Sequence, residues 1–175
     1  MVAGQTGRMD ATNVRVRPAR AGDGRGIAVA WVDSGRYYAA IYPDHFQIPS
    51  GDVAATFEQM LATGARPEQC RLVAEVTGEV VGYIAATLHA AAGPPEGQFT
   101  ATARRRVWVD ALMVRASDHR RGVGSMLMEA VEDWAKRRDA ATIELDTFAR
   151  SPLSVPFYEH LGYQRHAIVF RKRLS

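Results

Sequence analysis

A single cysteine in 175 residues, Cys70, leaves no partner for an internal disulfide and fits a reducing compartment such as the cytoplasm. No apolar run approaches the ~18–20 residues that a membrane span requires, so no membrane partner is expected. Residues Met1 to Arg8 lack the apolar core of a secretion signal, and export is not expected either. The histidines at 45, 89, 119, 160 and 166 show no metal-ligand spacing and no cysteine partner, which argues against a metal centre. The Gly-x-Ser-x-Gly elbow of one large hydrolase class is missing. Two basic runs, Arg104-Arg105-Arg106 and Arg171-Lys172-Arg173, carry no interleaved aromatics on which bases could stack, so nucleic acid is not the expected partner.

What is present is the composition of an ordinary globular domain. Hydrophobic residues make up 47% and charged residues 23%, and a chain of this length buries about 70% of its unfolded surface. A net charge of +3 suits an anionic ligand. Residues 1–12 have no hydrophobic periodicity and read as a flexible N-terminal arm, leaving 13–175 as a single domain.

The periodicities place the elements. Val14 and Val16 alternate with Arg15 and Arg17 in a half-exposed strand that Pro18 ends. Asp23 stands where it can cap a helix with Ile27, Trp31 and Tyr38 on one face. Ser50 or Asp52 can cap a second helix, with Val53, Phe57, Met60 and Leu61 inward and Gly64 as its stop. Residues 71–77 and 80–89 predict a hairpin around Thr77-Gly78-Glu79. The Gly- and Pro-bearing stretch from Ala90 to Thr102 reads as a long loop, where selectivity tends to reside. A strand at 107–114, a helix at 122–138, a strand at 142–148, a short helix at 152–161 and a last strand at 165–173 complete a mixed α/β pattern.

The most informative stretch is His119-Arg120-Arg121-Gly122-Val123-Gly124-Ser125, between a β-branched run and an amphipathic stripe of Val123, Met126, Leu127, Ala130, Val131 and Trp134. A strand, a glycine-bearing turn and a helix N-terminus together hold phosphate: the first helical N–H groups are unpaired, and glycine lets an anion approach them. A P-loop is excluded because no lysine follows either glycine. A dinucleotide fingerprint is excluded because Leu127 occupies its third glycine position.

Four segments in order resemble the GCN5-related N-acetyltransferase (GNAT) superfamily. His119 to Gly124 is similar to its pyrophosphate motif Arg/Gln-x-x-Gly-x-Gly/Ala, with His119 in the Arg/Gln place. Ser151 to Tyr163 resembles Asn-x-x-Ala-x-x-Phe-Tyr-x-x-x-Gly-Phe, with Ser151 at the Asn and Ser154 at the Ala. Leu72 to Ile84 is similar to its Gly-x-x-Val-Gly hairpin, and Val14 to Ala19 to its opening strand. The resemblance implies an α/β fold with a mixed, mostly antiparallel central sheet of six to seven strands, splayed in the middle, with helices on both faces. It implies acetyl-CoA as cofactor. The N–H groups of Arg120, Arg121, Gly122, Val123, Gly124 and Ser125 would face the pyrophosphate, and His119 would tune affinity. The main chain of Leu112, Met113 and Val114 would lie along the pantetheine arm, which pairs like an added strand. Ser151, Ser154 and Tyr158 would complete the cofactor site.

Two residues would carry the chemistry. Tyr158, a phenol with a pKa of about 10, stays protonated at neutral pH and can protonate a leaving thiolate. Asp110, expected among Trp108, Leu112 and Val114 and therefore desolvated, is either a general base for the amine or an anchor for a cationic substrate. From position, Tyr37, Tyr38, His45 and Phe46 with the 90–104 loop would recognise the acceptor. The implied function is direct transfer of acetyl from acetyl-CoA to a primary amine, on a small molecule or a peptide, within a ternary complex in the cytoplasm. The alternative is a non-catalytic acyl-CoA sensor on the same scaffold, which would not need both Tyr158 and Asp110. A homodimer stays open.

Overall fold

The computed structural model describes residues 13–90, 100, 105–172 and 174. The expected N-terminal arm and nearly all of the 90–104 loop lie outside these residues. The chain divides into two compact units, one ending at Leu145 and one beginning at Asp146.

The first unit is a five-stranded sheet in sequential order: β1 (Val14–Pro18), β2 (Gln69–Val76), β3 (Glu79–Ala90), β4 (Arg105–Val114) and β5 (Thr142–Glu144). The first three pairings are antiparallel and β4–β5 is parallel. The β2–β3 hairpin turns at Thr77 and Gly78 with φ of 49° and 86°, the two positive values a type I′ turn needs to match strand twist. Helices α1 (Gly24–Ile41) and α2 (Val53–Ala62) follow β1, and α3 (Val123–Lys136) follows β4. Asp52 caps α2, its carboxylate accepting from the Ala55 N–H at 2.9 Å.

Both faces of the sheet are covered. Gly82 and Tyr83 are consecutive in β3 and so point to opposite sides. Tyr83 joins Ile27 and Ala30 of α1, Leu61 of α2, Val73 and Met113 in one buried cluster. A Cβ on Gly82 would meet Val123 and Leu127 of α3. Cys70 on β2 is 4% exposed.

Arg17 fastens the start of α1 to the sheet. Its guanidinium donates to both carboxylate oxygens of Asp23 at 2.8 Å and to Glu75 at 2.8 Å. Burial alone would raise the Asp23 pKa, but the bonds from Arg17 and the Arg20 N–H outweigh it and hold the carboxyl below its ordinary range. Asp23 therefore occupies the N-cap position without capping by its side chain, which corrects the expected role.

The strand count is a second correction. Five strands are present among the described residues rather than six to seven. β5 ends at Glu144 instead of Phe148, because it pairs only with Arg106–Trp108 and β4 carries a bulge two residues further on, which bends a strand away from its neighbour. In the second unit α4 spans Ser154–His160, and the expected strand at 165–173 has no ladder partner among the described residues. Strand propensity in Ile168, Val169 and Phe170 forms no strand without a neighbouring edge, and these side chains are 80–92% exposed.

Candidate active site

A glycine-bearing turn joins β4 to α3. A 3₁₀ turn, Ala116–Asp118, leads from β4 towards α3, whose N-cap Gly122 is left-handed at φ 80°. Arg120 is left-handed too, at φ 60°, in a region that costs an L-residue about 1–2 kcal/mol. Left-handed residues on both sides of Arg121 are of the kind that builds anion-binding backbone nests. No side chain caps α3, and its first intrahelical bond runs from the Met126 N–H to the Gly122 carbonyl at 3.0 Å. Among the described residues no protein group accepts from the N–H groups of Arg120 through Ser125. Six donors at the positive end of a helix dipole fit a diphosphate.

Two side chains of the turn, His119 and Arg121, have partners within the protein. His119 folds back, its Nε2 lying 2.9 Å from the Val114 carbonyl oxygen. Arg121 donates from Nη1 to Asp118 at 2.9 Å, so part of its fork is already engaged. Arg120 is exposed and has no described partner. Asp118, 2% exposed, also accepts from Arg115 Nε at 2.6 Å and Ser117 Oγ at 2.8 Å. Burial pushes this carboxyl up, yet those bonds and the nearby Arg115 and Arg121 charges prevail and lower it.

β5 pairs with β4 only as far as Trp108. The Arg115 N–H donates to the Val81 carbonyl at 2.8 Å, so the Val114 carbonyl in the same peptide points away from β3. By strand alternation the Val114 N–H and both main-chain groups of Leu112 share that outward edge. Met113 instead turns its main chain towards Tyr83 and its side chain into the core. No strand pairs with Val109–Val114 on the outward side among the described residues.

Asp110 is the extra residue of the β4 bulge: Ala111 faces Ala85 and Val109 faces Ala86. Bulges re-aim side chains. Its Oδ2 accepts from Thr87 Oγ1 at 2.7 Å. Asp110 is exposed, which corrects the expectation that apolar neighbours desolvate it.

The remaining expected residues fall in two groups. At the C-terminal end of α1, Tyr38 stacks on Phe46 with centroids 5.1 Å apart, and His45 and Tyr37 meet this pair edge-on. In the second unit, Ser151 is buried and its Oγ donates to Ser154 Oγ at 3.0 Å while accepting from the Ser154 N–H. Tyr158 is half-buried on α4, edge-on to Phe157 at 5.1 Å and to Tyr163 at 6.0 Å. Sequence reasoning passed over Asp118 and Thr87. Asp118 had a readable signal, its spacing of three from Arg115 and from Arg121; Thr87 had none, because its meeting with Asp110 depends on strand register.

Comparison with known proteins follows the same lines. The Acetyltransferase (GNAT) family matches residues 31–163. No curated protein matches the sequence. A variant of the BH1408 protein from Bacillus halodurans superposes with a TM-score of 0.78 at 20% identity, covering 92% of this chain and 99% of that one. The aminoglycoside 6'-N-acetyltransferase AAC(6')-IG from Acinetobacter haemolyticus gives 0.60 at 18% identity, with coverages of 92% and 99%. AAC(6')-Iy, solved with the bisubstrate analog CoA-S-monomethyl-acetylneamine, gives 0.59 at 19% identity with the same coverages.

Proposed function

Because this chain belongs to the GNAT family of acetyltransferases, we propose that it transfers an acetyl group from acetyl-CoA to a primary amine, both substrates being held in one ternary complex. The observation that carries this reading is the run of six N–H groups, Arg120 to Ser125, with no protein acceptor at an uncapped helix start. The family match runs across the boundary at Leu145, which supports residues 13–175 working as one domain. We place the reaction in the cytoplasm, where the lone thiol stays reduced.

The diphosphate would be held by the Arg120–Ser125 amides with the exposed Arg120 guanidinium beside them, and the pantetheine amides by Leu112 and Val114. The Val114 carbonyl is already taken by His119, which leaves Leu112 with the larger share. Acetyl-CoA supplies a thioester that an amine can attack with departure of the thiol. Asp110, aimed by its bulge and held by Thr87, would accept a proton from the incoming ammonium or fix its position through Oδ1. A lysine-like amine, with a pKa of about 10.4, is almost wholly protonated at neutral pH, so such help matters. The Tyr158 hydroxyl would donate its proton to the departing sulfur. Bringing the two reactants together supplies most of the acceleration. The aminoglycoside acetyltransferases among the solved structures support small-molecule amines as the acceptor class to try first, ahead of peptide amines.

Isothermal titration with acetyl-CoA, followed by CoA release against a panel of small-molecule and peptide amines, tests the proposal. Saturable binding with turnover of at least one amine is expected. Failure to bind any CoA thioester overturns the reading, and binding without turnover of any amine assigns the chain to the sensor class.

A further inference from the structure

We propose that Asp118 is a positioning residue for the diphosphate, locking the cofactor turn into its binding shape without touching the ligand. This rests on the acetyl-CoA reading above.

The turn would not keep its shape unaided. Arg120 has a side chain and yet sits in a left-handed conformation, which surrounding structure must enforce. The enforcement is visible on both flanks. Before the turn, Asp118 Oδ2 takes Arg115 Nε at 2.6 Å and Ser117 Oγ at 2.8 Å. Beyond Arg120, Asp118 Oδ1 takes Arg121 Nη1 at 2.9 Å. One carboxylate therefore clamps the residues on either side of His119 and Arg120, and its own side chain is 3% exposed.

The clamp is anchored to the sheet and to α1. Arg115 reaches Glu79 at the β2–β3 hairpin at 3.0 Å, and its N–H is bonded to Val81. The Ala116 N–H donates to Asp33 Oδ2 on α1 at 2.9 Å. Motion of the turn would have to break several of these bonds together. The arrangement also divides the labour between two adjacent arginines. Arg121 spends a guanidinium arm on Asp118, whereas the exposed Arg120 guanidinium is available to an anion. A buried carboxylate near an anion site would repel the ligand if bare; two guanidiniums neutralise it.

The test uses the full chain with Asp118→Asn and Arg121→Gln, the second breaking the same clamp at a side chain that is 35% exposed and so tolerant of change. Affinity for CoA is measured by titration calorimetry. Affinity for pantetheine, which has no diphosphate, is measured by NMR titration. Unfolding without ligand is measured by circular dichroism. Both variants are expected to raise the CoA dissociation constant about 5- to 30-fold, the affinity equivalent of releasing one left-handed residue. Pantetheine affinity stays unchanged, and in turnover the KM for acetyl-CoA rises while kcat holds. If Asp118→Asn does not fold, Arg121→Gln decides. Equal CoA affinity in wild type and variants overturns the inference, as does a proportional loss for CoA and pantetheine, which would mark a general structural role. Failure of the wild type itself to bind CoA strikes the acetyl-CoA reading instead.

Discussion

Replacing Gly82 by alanine tests whether the packing of α3 on the sheet sets the position of the phosphate cradle. A Cβ there would lie 3.0 Å from Leu127 Cδ1, 3.0 Å from Val123 Cγ1 and 3.2 Å from the Met113 carbonyl oxygen. Carbon atoms prefer about 3.5–4.0 Å, so the α3 side chains must give by a few tenths of an ångström. Val123 and Leu127 are 2% and 0% exposed and have nowhere to swing. Overpacking of this kind costs about 1–3 kcal/mol, partly offset by about 0.4–1 kcal/mol from a stiffer unfolded chain. The net lies between about 0 and 2.6 kcal/mol, or a Tm lower by up to roughly 10 °C in a chain of this size. The displaced turn begins with Val123, one of the six free amides, so CoA affinity must fall as well. Leu61→Ala, in the core on the other face, serves as the control: it costs about 2–5 kcal/mol of stability and leaves CoA affinity intact. Differential scanning fluorimetry and titration calorimetry read both quantities. An unchanged Tm together with an unchanged CoA dissociation constant for Gly82→Ala would refute the link between helix packing and cradle.

Three other outcomes are expected. Asp110→Asn lowers kcat roughly 10²–10⁴-fold near neutral pH if the carboxylate is the base, and the deficit shrinks at high pH as the amine deprotonates itself; an anchoring role instead raises the amine KM at every pH in initial-rate assays. Tyr158→Phe lowers kcat by roughly tenfold with little change in the KM for the amine, because a thiol with a pKa near 8.5 needs only modest help to leave. Asp23 and Asp118 both have lowered pKa values in the folded protein, so their contribution is present above the unfolded value near 4 and is lost as pH falls through the folded values. Thermal melts should therefore be flat from about pH 7 to 5 and fall steeply below about 4, and Asp23→Asn should melt lower at pH 7 with a shallower acid slope.

The strand, the glycine turn and the helix after it were legible because their signals are local. Glycine placement, the apolar stripe from Val123 to Trp134 and the preceding β-branched run all lie within the 28 residues from Val107 to Trp134. The hairpin at Thr77-Gly78 was legible for the same reason. The bulge at Asp110 was not, since the slip between Ala85 and Ala86 emerges only when two distant strands are paired. The same bulge explains why β5 was read four residues too long: Leu145 to Phe148 have strand-like letters, but the ladder beside them ends. Asp23 shows the limit of reading a cap from its position alone. The residue stood at the right place, and Arg17, six residues earlier on β1, claimed its carboxylate.

Cys70 has a consequence for a protein whose proposed reaction sheds a thiol at every turnover. Burial pushes its own sulfhydryl up to about 11, so at neutral pH roughly one molecule in ten thousand carries the thiolate. Exchange with oxidised CoA proceeds only through that ion and needs access to the sulfur. The chain thus keeps its single sulfur nucleophile out of reach of the disulfides that its released product forms on oxidation, and its activity should be indifferent to their build-up.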